Sequence, residues 1–154
     1  MSVAFRRESD EEHREPRFEL PLPPGPNLVT ERGLALIRAR VCEYEERVAA
    51  ETDEAAREEA KRDLRYWRTR QSTAQLAPAP AGDEAAFGTC VTIRLNGEER
   101  TFAIVGHDEA EPAGGTVSVS APLARAVLGA VAGDLLPFAG KDDAIEVLNV
   151  EAIS

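Results

Sequence analysis

The chain has 154 residues, of which 43% are hydrophobic and 30% charged, and its formal net charge at pH 7 is −10. This length allows one medium domain, or a small domain with an appendage. No apolar run approaches the roughly 20 residues that a membrane-spanning helix needs, so we expect no membrane segment. Binding of nucleic acid through its phosphates needs a basic face, and the acidic balance argues against that class. The expected partner is a protein with basic surfaces.

The first 27 residues mix charged side chains with prolines. Helix and sheet are both disfavoured near the end of this segment by its prolines, Pro21, Pro23, Pro24 and Pro26. We therefore expect a disordered or extended leader over residues 1–27. It lacks the apolar core of a secretory signal. The two cysteines fall in different modules, so no disulfide is predicted. A protein with neither a signal peptide nor a disulfide is expected in the reducing cytoplasm.

Residues 28–76 carry two apolar stripes, each with the three- and four-residue steps of an amphipathic helix. Thr30 is a suitable N-cap for the first helix, and Thr52 or Asp53 for the second. A short turn between stripes of nearly equal length predicts an antiparallel helical hairpin, a short coiled coil. The stripes comprise Leu34, Ile37, Val41, Tyr44 and Val48, followed by Ala60, Leu64, Trp67, Gln71 and Ala74.

Residues 77–86 are rich in Pro, Ala and Gly and predict a linker to a second module, residues 87–154. That module has alternating strand patterns, with a hairpin signal at Asn96 and Gly97 and a short helix opened by Pro122. The expected fold class is α+β, an N-terminal helical hairpin followed by an antiparallel sheet with one helix.

Residues 87–136 resemble the C-terminal domain of the Gre transcript-cleavage factors, and the start of the hairpin is similar to the family's first helix. The resemblance covers roughly residues 27–153. The matching pieces, in order, are Phe87-Gly88, Ile104-Val105-Gly106, Asp108-Glu109, Ser118, Ala121-Pro122, Ala124-Arg125, Leu128-Gly129 and Gly133-Asp134. A closely related possibility is that the chain resembles Rnk-type proteins, which also join a short hairpin to this domain.

The resemblance implies an FKBP-like C-terminal domain that docks at the rim of the secondary channel of bacterial RNA polymerase. The coiled-coil arm then enters that channel. In the cleavage factors, two acids at the tip help to hold a second magnesium ion at the polymerase active site, where backtracked RNA is hydrolysed. The candidate tip acids in this chain are Glu51, Asp53 and Glu54, whose oxygens are the ligands that magnesium prefers.

The tip departs from the family pattern, because the string Gly-Asp-x-x-Glu-Asn is absent from the sequence. Each limb of the arm is also about three helical turns shorter, which removes roughly 15 Å of reach. A metal ligand must come within about 2 to 2.5 Å of the ion. We therefore expect these acids to cap a helix or make electrostatic contacts, with no catalytic residues, no cofactor and no enzyme activity.

The turn formed by Ser120, Ala121 and Pro122 corresponds to the family loop that meets the polymerase, and Arg125 follows it. The alternative for Pro122 is ordinary helix capping, and for Arg125 an exposed helix position. His107 is expected to lie in a surface turn, since no Cys or His stands at metal-binding spacing from it.

We expect a transcription elongation regulator that binds RNA polymerase as a monomer, without efficient transcript cleavage and without sequence-specific DNA binding or a membrane contact. One alternative is a true cleavage factor that presents Glu51, Asp53 and Glu54 to the polymerase magnesium. The other is an acidic interaction module that does not act on RNA polymerase.

Overall fold

A computed structural model of the chain describes residues 19–80 and 82–153. Most of the predicted leader (1–18), together with Ala81 and Ser154, lies outside the described residues. The chain divides into two compact units. Residues 19–25 and 37–73 form the hairpin unit, and residues 26–36, 74–80 and 82–153 form the sheet unit. The domain bounds drawn from the sequence stay predictions. No helix among the described residues is long and apolar enough to cross a bilayer.

A very short strand precedes the first helix and another follows the second. In chain order these elements are β1 (Leu28–Val29), α1 (Glu31–Ala50), α2 (Glu54–Thr73) and β2 (Gln75–Leu76). The two strands pair in parallel, with Leu28 opposite Gln75 and Val29 opposite Leu76. This pair was not expected from the sequence, because two-residue strands carry no readable alternation.

The two helices bury a narrow apolar stripe. Within α1, Ile37 and Val41 are buried, and within α2, Ala60 and Leu64 are buried. Both pairs are four residues apart, so each pair lies on one face of its helix. The predicted seam is thus present at its centre, while Trp67 is only half-buried.

The sheet unit contains a five-stranded mixed sheet with the strand order β5-β4-β3-β7-β6. A helix, α3, follows β5 and supplies the buried side chains of Ala124 and Val127 to the core, which also contains Val91, Ile93 and Ile104. The α+β layout predicted from the sequence is confirmed, whereas the FKBP-like assignment stays a prediction. The elements are β3 (Thr89–Leu95), β4 (Glu98–Val105), β5 (Thr116–Ser118), α3 (Pro122–Val127), β6 (Leu135–Phe138) and β7 (Lys141–Ala152).

The prediction of a wholly antiparallel sheet is wrong at one edge, where β4 and β5 pair in parallel. Residues 106–115, which include a 3-10 turn at Pro112–Gly114, connect these strands. A connection of that length lets the chain fold back to the level of Ala103 before β5 begins, whereas a two-residue turn would force an antiparallel pair.

The β3–β4 connection has the predicted tight turn. Asn96 and Gly97 both have positive φ values, 52° and 86°. Such a pair defines a type I′ turn, whose twist matches that of the flanking strands. The residue types at this turn therefore determined the register of β3 against β4, in which Leu95 lies opposite Glu98.

Candidate functional site

The tip of the hairpin is closed by hydrogen bonds from its own backbone to two of the three candidate acids. Asp53 Oδ2 accepts from the Ala56 amide at 2.9 Å, which makes Asp53 the N-cap of α2. Glu51 Oε1 accepts from the amides of Thr52, at 3.1 Å, and Asp53, at 3.2 Å. One oxygen of each carboxylate is therefore committed to holding the turn.

The remaining tip contacts also stabilise the turn. Arg57 donates to the Glu51 carbonyl oxygen at 2.5 Å, which ties the first full turn of α2 to the end of α1. Glu54 is the exposed first residue of α2, where the helix dipole favours a negative charge. Across residues 19–80 and 82–153, no group of three or more His, Cys, Asp or Glu side chains is arranged to hold a metal ion.

The predicted docking turn is a compact serine-containing turn ahead of α3. The Ser118 and Ser120 hydroxyl oxygens are 2.9 Å apart, and the Ser120 amide donates to Ser118 Oγ at 3.2 Å. Ala121 occupies the N-cap position without a capping side chain, and Pro122 begins the helix. Ser120 and Pro122 are exposed. The turn thus presents polar and proline groups outward while its backbone is held by local hydrogen bonds.

Arg125 lies one turn further along α3 and is exposed. Its amide donates to the Ala121 carbonyl at 2.9 Å, so the residue's backbone is held by the first turn of the helix. Its guanidinium makes no ion pair with any residue that the structure describes. It is therefore available to a carboxylate on a partner.

Three apolar side chains just after α3 are exposed, which was not predicted from the sequence. Leu128 is 42% exposed, Val131 is 38% exposed and Leu135 is 56% exposed. A contiguous exposed apolar patch is a feature of contact surfaces, and these three side chains are candidates for one. Leu128 and Val131 lie in the glycine-containing turn region between α3 and β6, and Leu135 is the first residue of β6, where exposed and half-buried positions alternate. These two local patterns are the sequence signals that could have indicated their exposure.

The structure gives no sign of a functional site around the remaining residues that the sequence singled out, among the residues it describes. His107 is exposed in a turn, as expected, and Trp67 makes an edge-to-face contact with Tyr66, with ring centroids 5.1 Å apart. Cys42 and Cys90 are both free thiols. Burial, and then the nearby Glu151 carboxylate, raise the pKa of the Cys90 thiol, so it is a poor nucleophile at neutral pH.

The chain joins a helical hairpin to a small mixed sheet with one helix, and comparisons with known proteins identify its class as the transcription elongation factors. Residues 79–153 match the family model "Transcription elongation factor, GreA/GreB, C-term". Transcription elongation factor GreA from Vibrio cholerae is 33% identical over 107 residues, which are 67% of this chain and 68% of that protein. The chain belongs to the GreA/GreB family.

Other relatives match over shorter segments. GreA from Pseudomonas aeruginosa is 34% identical over 96 residues, 60% of this chain and 61% of the relative. GreA from Thermomicrobium roseum is 45% identical over 51 residues, and the match spans 33% of each chain. Among solved structures, Gfh1 (GreA factor homolog 1) of Thermus thermophilus is 18% identical, with a TM-score of 0.39, and covers 83% of this chain and 100% of its own.

Family membership corrects the expectation that the chain has no enzyme activity. The relatives are named transcription elongation factor GreA. GreA is a factor that stimulates transcript cleavage, as an accessory to the polymerase and not as the catalyst itself. The family is therefore tied to a reaction that the polymerase catalyses. The classification "not an enzyme" was wrong, because it was drawn only from the missing tip motif and the shortened arm.

Proposed function

We propose that the chain binds RNA polymerase at the rim of the secondary channel and regulates transcript elongation with only weak stimulation of transcript cleavage. In this proposal residues 87–154 carry the docking contact, and the hairpin enters the channel. The factor acts as a monomer in the cytoplasm.

The expectation of weak cleavage rests on the hydrogen bonds that the tip carboxylates make to the backbone of the hairpin tip. Asp53 caps α2, and Glu51 accepts two backbone amides of the turn. A magnesium ligand must place its oxygen about 2.0 to 2.1 Å from the ion, so these bonds would compete with coordination. The short arm acts in the same direction, since each missing residue removes about 1.5 Å of reach.

The exposed groups around α3 support the docking part of the proposal. Ser120 and Pro122 are exposed ahead of the helix, Arg125 is exposed on it, and Leu128 and Leu135 are exposed after it. Contact surfaces typically combine an apolar centre with arginine and a polar rim. A protein partner fits this mixture, and a nucleic acid does not.

The test is transcript cleavage on a backtracked elongation complex, with polymerase binding recorded in the same samples. We expect binding, and a cleavage rate less than about tenfold above that of polymerase alone, which corresponds to less than about 1.4 kcal/mol of barrier. A tip variant combines Glu51→Gln, Asp53→Asn and Glu54→Gln. Because it retains side chains able to accept the capping bonds, binding and cleavage should both stay at the level of the parent chain.

The matched control places the same change of charge elsewhere, in exposed acids of the sheet unit, as Glu98→Gln, Glu99→Gln and Asp142→Asn. A tip variant that keeps binding but loses strong cleavage, while the control keeps it, would establish the alternative of a true cleavage factor. That alternative has one observation in its favour, because Asp53 is exposed at the tip. Absence of polymerase binding would instead favour an interaction module with another partner.

A further inference from the structure

Part of the segment before β1 lies against the outer face of α2. Glu19 contacts Arg65 with both carboxylate oxygens, Oε1 at 2.6 Å from Nη2 and Oε2 at 3.2 Å from Nε. This two-point contact matches the planar fork of a guanidinium to a carboxylate, so it determines orientation as well as position. Both residues belong to the hairpin unit.

A groove lies between this segment and the same face of α2. It has a volume of about 340 Å³, and its walls are Glu19, Leu20 and Leu22 of the segment and Arg65, Tyr66, Arg68 and Thr69 of the helix. Leu20 is half-buried, whereas Leu22 is still 51% exposed, and the groove is open space between the two walls. The segment therefore covers this face of α2 only loosely.

The segment itself has the composition of an extended peptide ligand. Residues 19–26 read Glu-Leu-Pro-Leu-Pro-Pro-Gly-Pro and contain neither helix nor strand. Prolines hold the backbone extended before binding, so little conformational entropy is lost when such a peptide docks on an aromatic-lined groove. Tyr66 supplies the aromatic side of this groove, and Arg65 supplies the charge.

We propose that this face of α2 is a peptide-binding groove, and that residues 19–24 occupy it within the same chain. The ligand class is an extended, proline-containing segment with an acidic residue directly before a leucine. Arg65 reads the carboxylate, and the wall formed by Tyr66 and Thr69 takes the leucines. A partner segment of this chemistry binds only when it displaces the chain's own. The proposal does not depend on an action at RNA polymerase.

A partner segment can displace residues 19–24 because the ion pair between Glu19 and Arg65, which has to be broken, is weak. Arg65 and Glu19 are about half exposed. An exposed ion pair shifts an equilibrium by about fivefold at most, so the segment is held chiefly because it is tethered. A short tether gives an effective concentration on the order of millimolar, which is enough to keep a weak ligand in place against dilute competitors.

The test uses the full chain and a fluorescently labelled peptide with the sequence of residues 19–25. A leader variant combines Glu19→Lys, Leu20→Ser and Leu22→Ser, so the side chains of α2 are unchanged while the segment loses the groups that hold it there. We expect the peptide to bind the leader variant at least about tenfold more tightly than the parent chain, because the tethered competitor is gone. Peptide anisotropy reports binding. Trp67, the single tryptophan, adjoins Tyr66 and gives an independent fluorescence signal.

A charge exchange tests the assignment of Arg65. Adding Arg65→Glu to the leader variant should abolish binding of the natural peptide and create binding of a peptide with Lys in place of Glu. The matched control adds Arg47→Glu, which makes the same change of charge on α1, breaks an exposed ion pair with Glu43 and should leave peptide affinity unchanged. Equal affinity for the parent chain and the leader variant, equal binding of a scrambled peptide, or no binding to the leader variant would overturn the proposal.

Discussion

The Thr30 hydroxyl donates a hydrogen bond of 2.5 Å to the Glu109 carboxylate, although the two residues are 79 positions apart in the chain. The same hydroxyl oxygen accepts from the Gly33 amide at 3.0 Å, which is the N-cap bond of α1. Glu109 therefore adds its negative charge to the first turn of this helix, where the helix dipole favours it. The cap of α1 is thus shared between a local residue and a turn of the sheet unit.

Removal of the Thr30 hydroxyl should be costly for this reason. We expect Thr30→Val to lower the free energy of unfolding by about 1 to 2 kcal/mol, since the cap bond and the bond to Glu109 are lost together. Urea denaturation followed by circular dichroism measures the loss. Thr30→Ser keeps the hydroxyl and should stay within about 0.5 kcal/mol of the parent chain. A loss in Thr30→Ser that is absent in Thr30→Val would show that the methyl group, and not the hydroxyl, is responsible.

Gly33→Ala tests how closely Glu109 approaches the helix. Alanine in place of a helical glycine normally stabilises by about 0.5 to 1 kcal/mol. Here the added Cβ would lie 2.9 Å from Glu109 Oε1, so that carboxylate must move away from Thr30. We expect the usual gain to be cancelled in the parent chain and recovered in a Glu109→Ala background. The unfolding free energies of the parent chain, the two single variants and the double variant give the coupling energy between positions 33 and 109. Additive effects of the two substitutions would contradict the close approach.

Gly106→Ala should be more damaging, because its new neighbour is backbone. A Cβ at this position would lie 2.4 Å from the Leu28 carbonyl oxygen. The carbonyl cannot rotate away without disturbing β1, so we expect a loss of about 1 to 3 kcal/mol in unfolding free energy. Gly82→Ala is the matched control, since nothing lies within 4 Å of a Cβ built there. The thermal unfolding midpoint compares the two, and equal midpoints would refute the close approach.

Substitutions of Asp53 separate capping from metal binding. Asp53→Ala should lower the unfolding free energy by about 0.5 to 2 kcal/mol, because the Ala56 amide loses its acceptor. Asp53→Asn should be close to neutral, as asparagine is an equally good N-cap. Asparagine lacks the carboxylate charge, so transcript cleavage by this variant is the decisive measurement. The proposed function predicts no change in cleavage, whereas a metal-binding role predicts its loss without a loss of stability.

Arg125→Glu tests the docking surface. The side chain is exposed and unpaired among the described residues, so charge reversal should leave the unfolding free energy within about 0.5 kcal/mol of the parent value. Polymerase binding should weaken, mainly through a slower association rate that depends on salt. Arg100→Glu carries the same charge change at an exposed position of β4 and is the control. Equal weakening by both would indicate a nonspecific effect of net charge.

The features that the sequence predicted well are those decided by neighbours a few residues apart. The caps at Thr30 and Asp53, the buried stripe of Ile37 and Val41, and the turn at Asn96 and Gly97 each depend on spacings of one to four residues. Such contacts form whatever the rest of the chain does, so residue type and spacing are sufficient to predict them. The family was also predicted correctly, because the resemblance of residues 87–136 rests on short strings of neighbouring residues that can be read directly from the sequence.

Only the tertiary structure decided the contacts between distant segments. The parallel pairs β1–β2 and β4–β5, the hydrogen bond from Thr30 to Glu109, and the contact of Glu19 with Arg65 join residues far apart in the chain or reached by long connections. Their local patterns permit many partners of similar energy, and the choice among them depends on which surfaces the packed core brings together. By itself the sequence determined the elements, their caps and the acidic tip, and the fold decided what those elements touch.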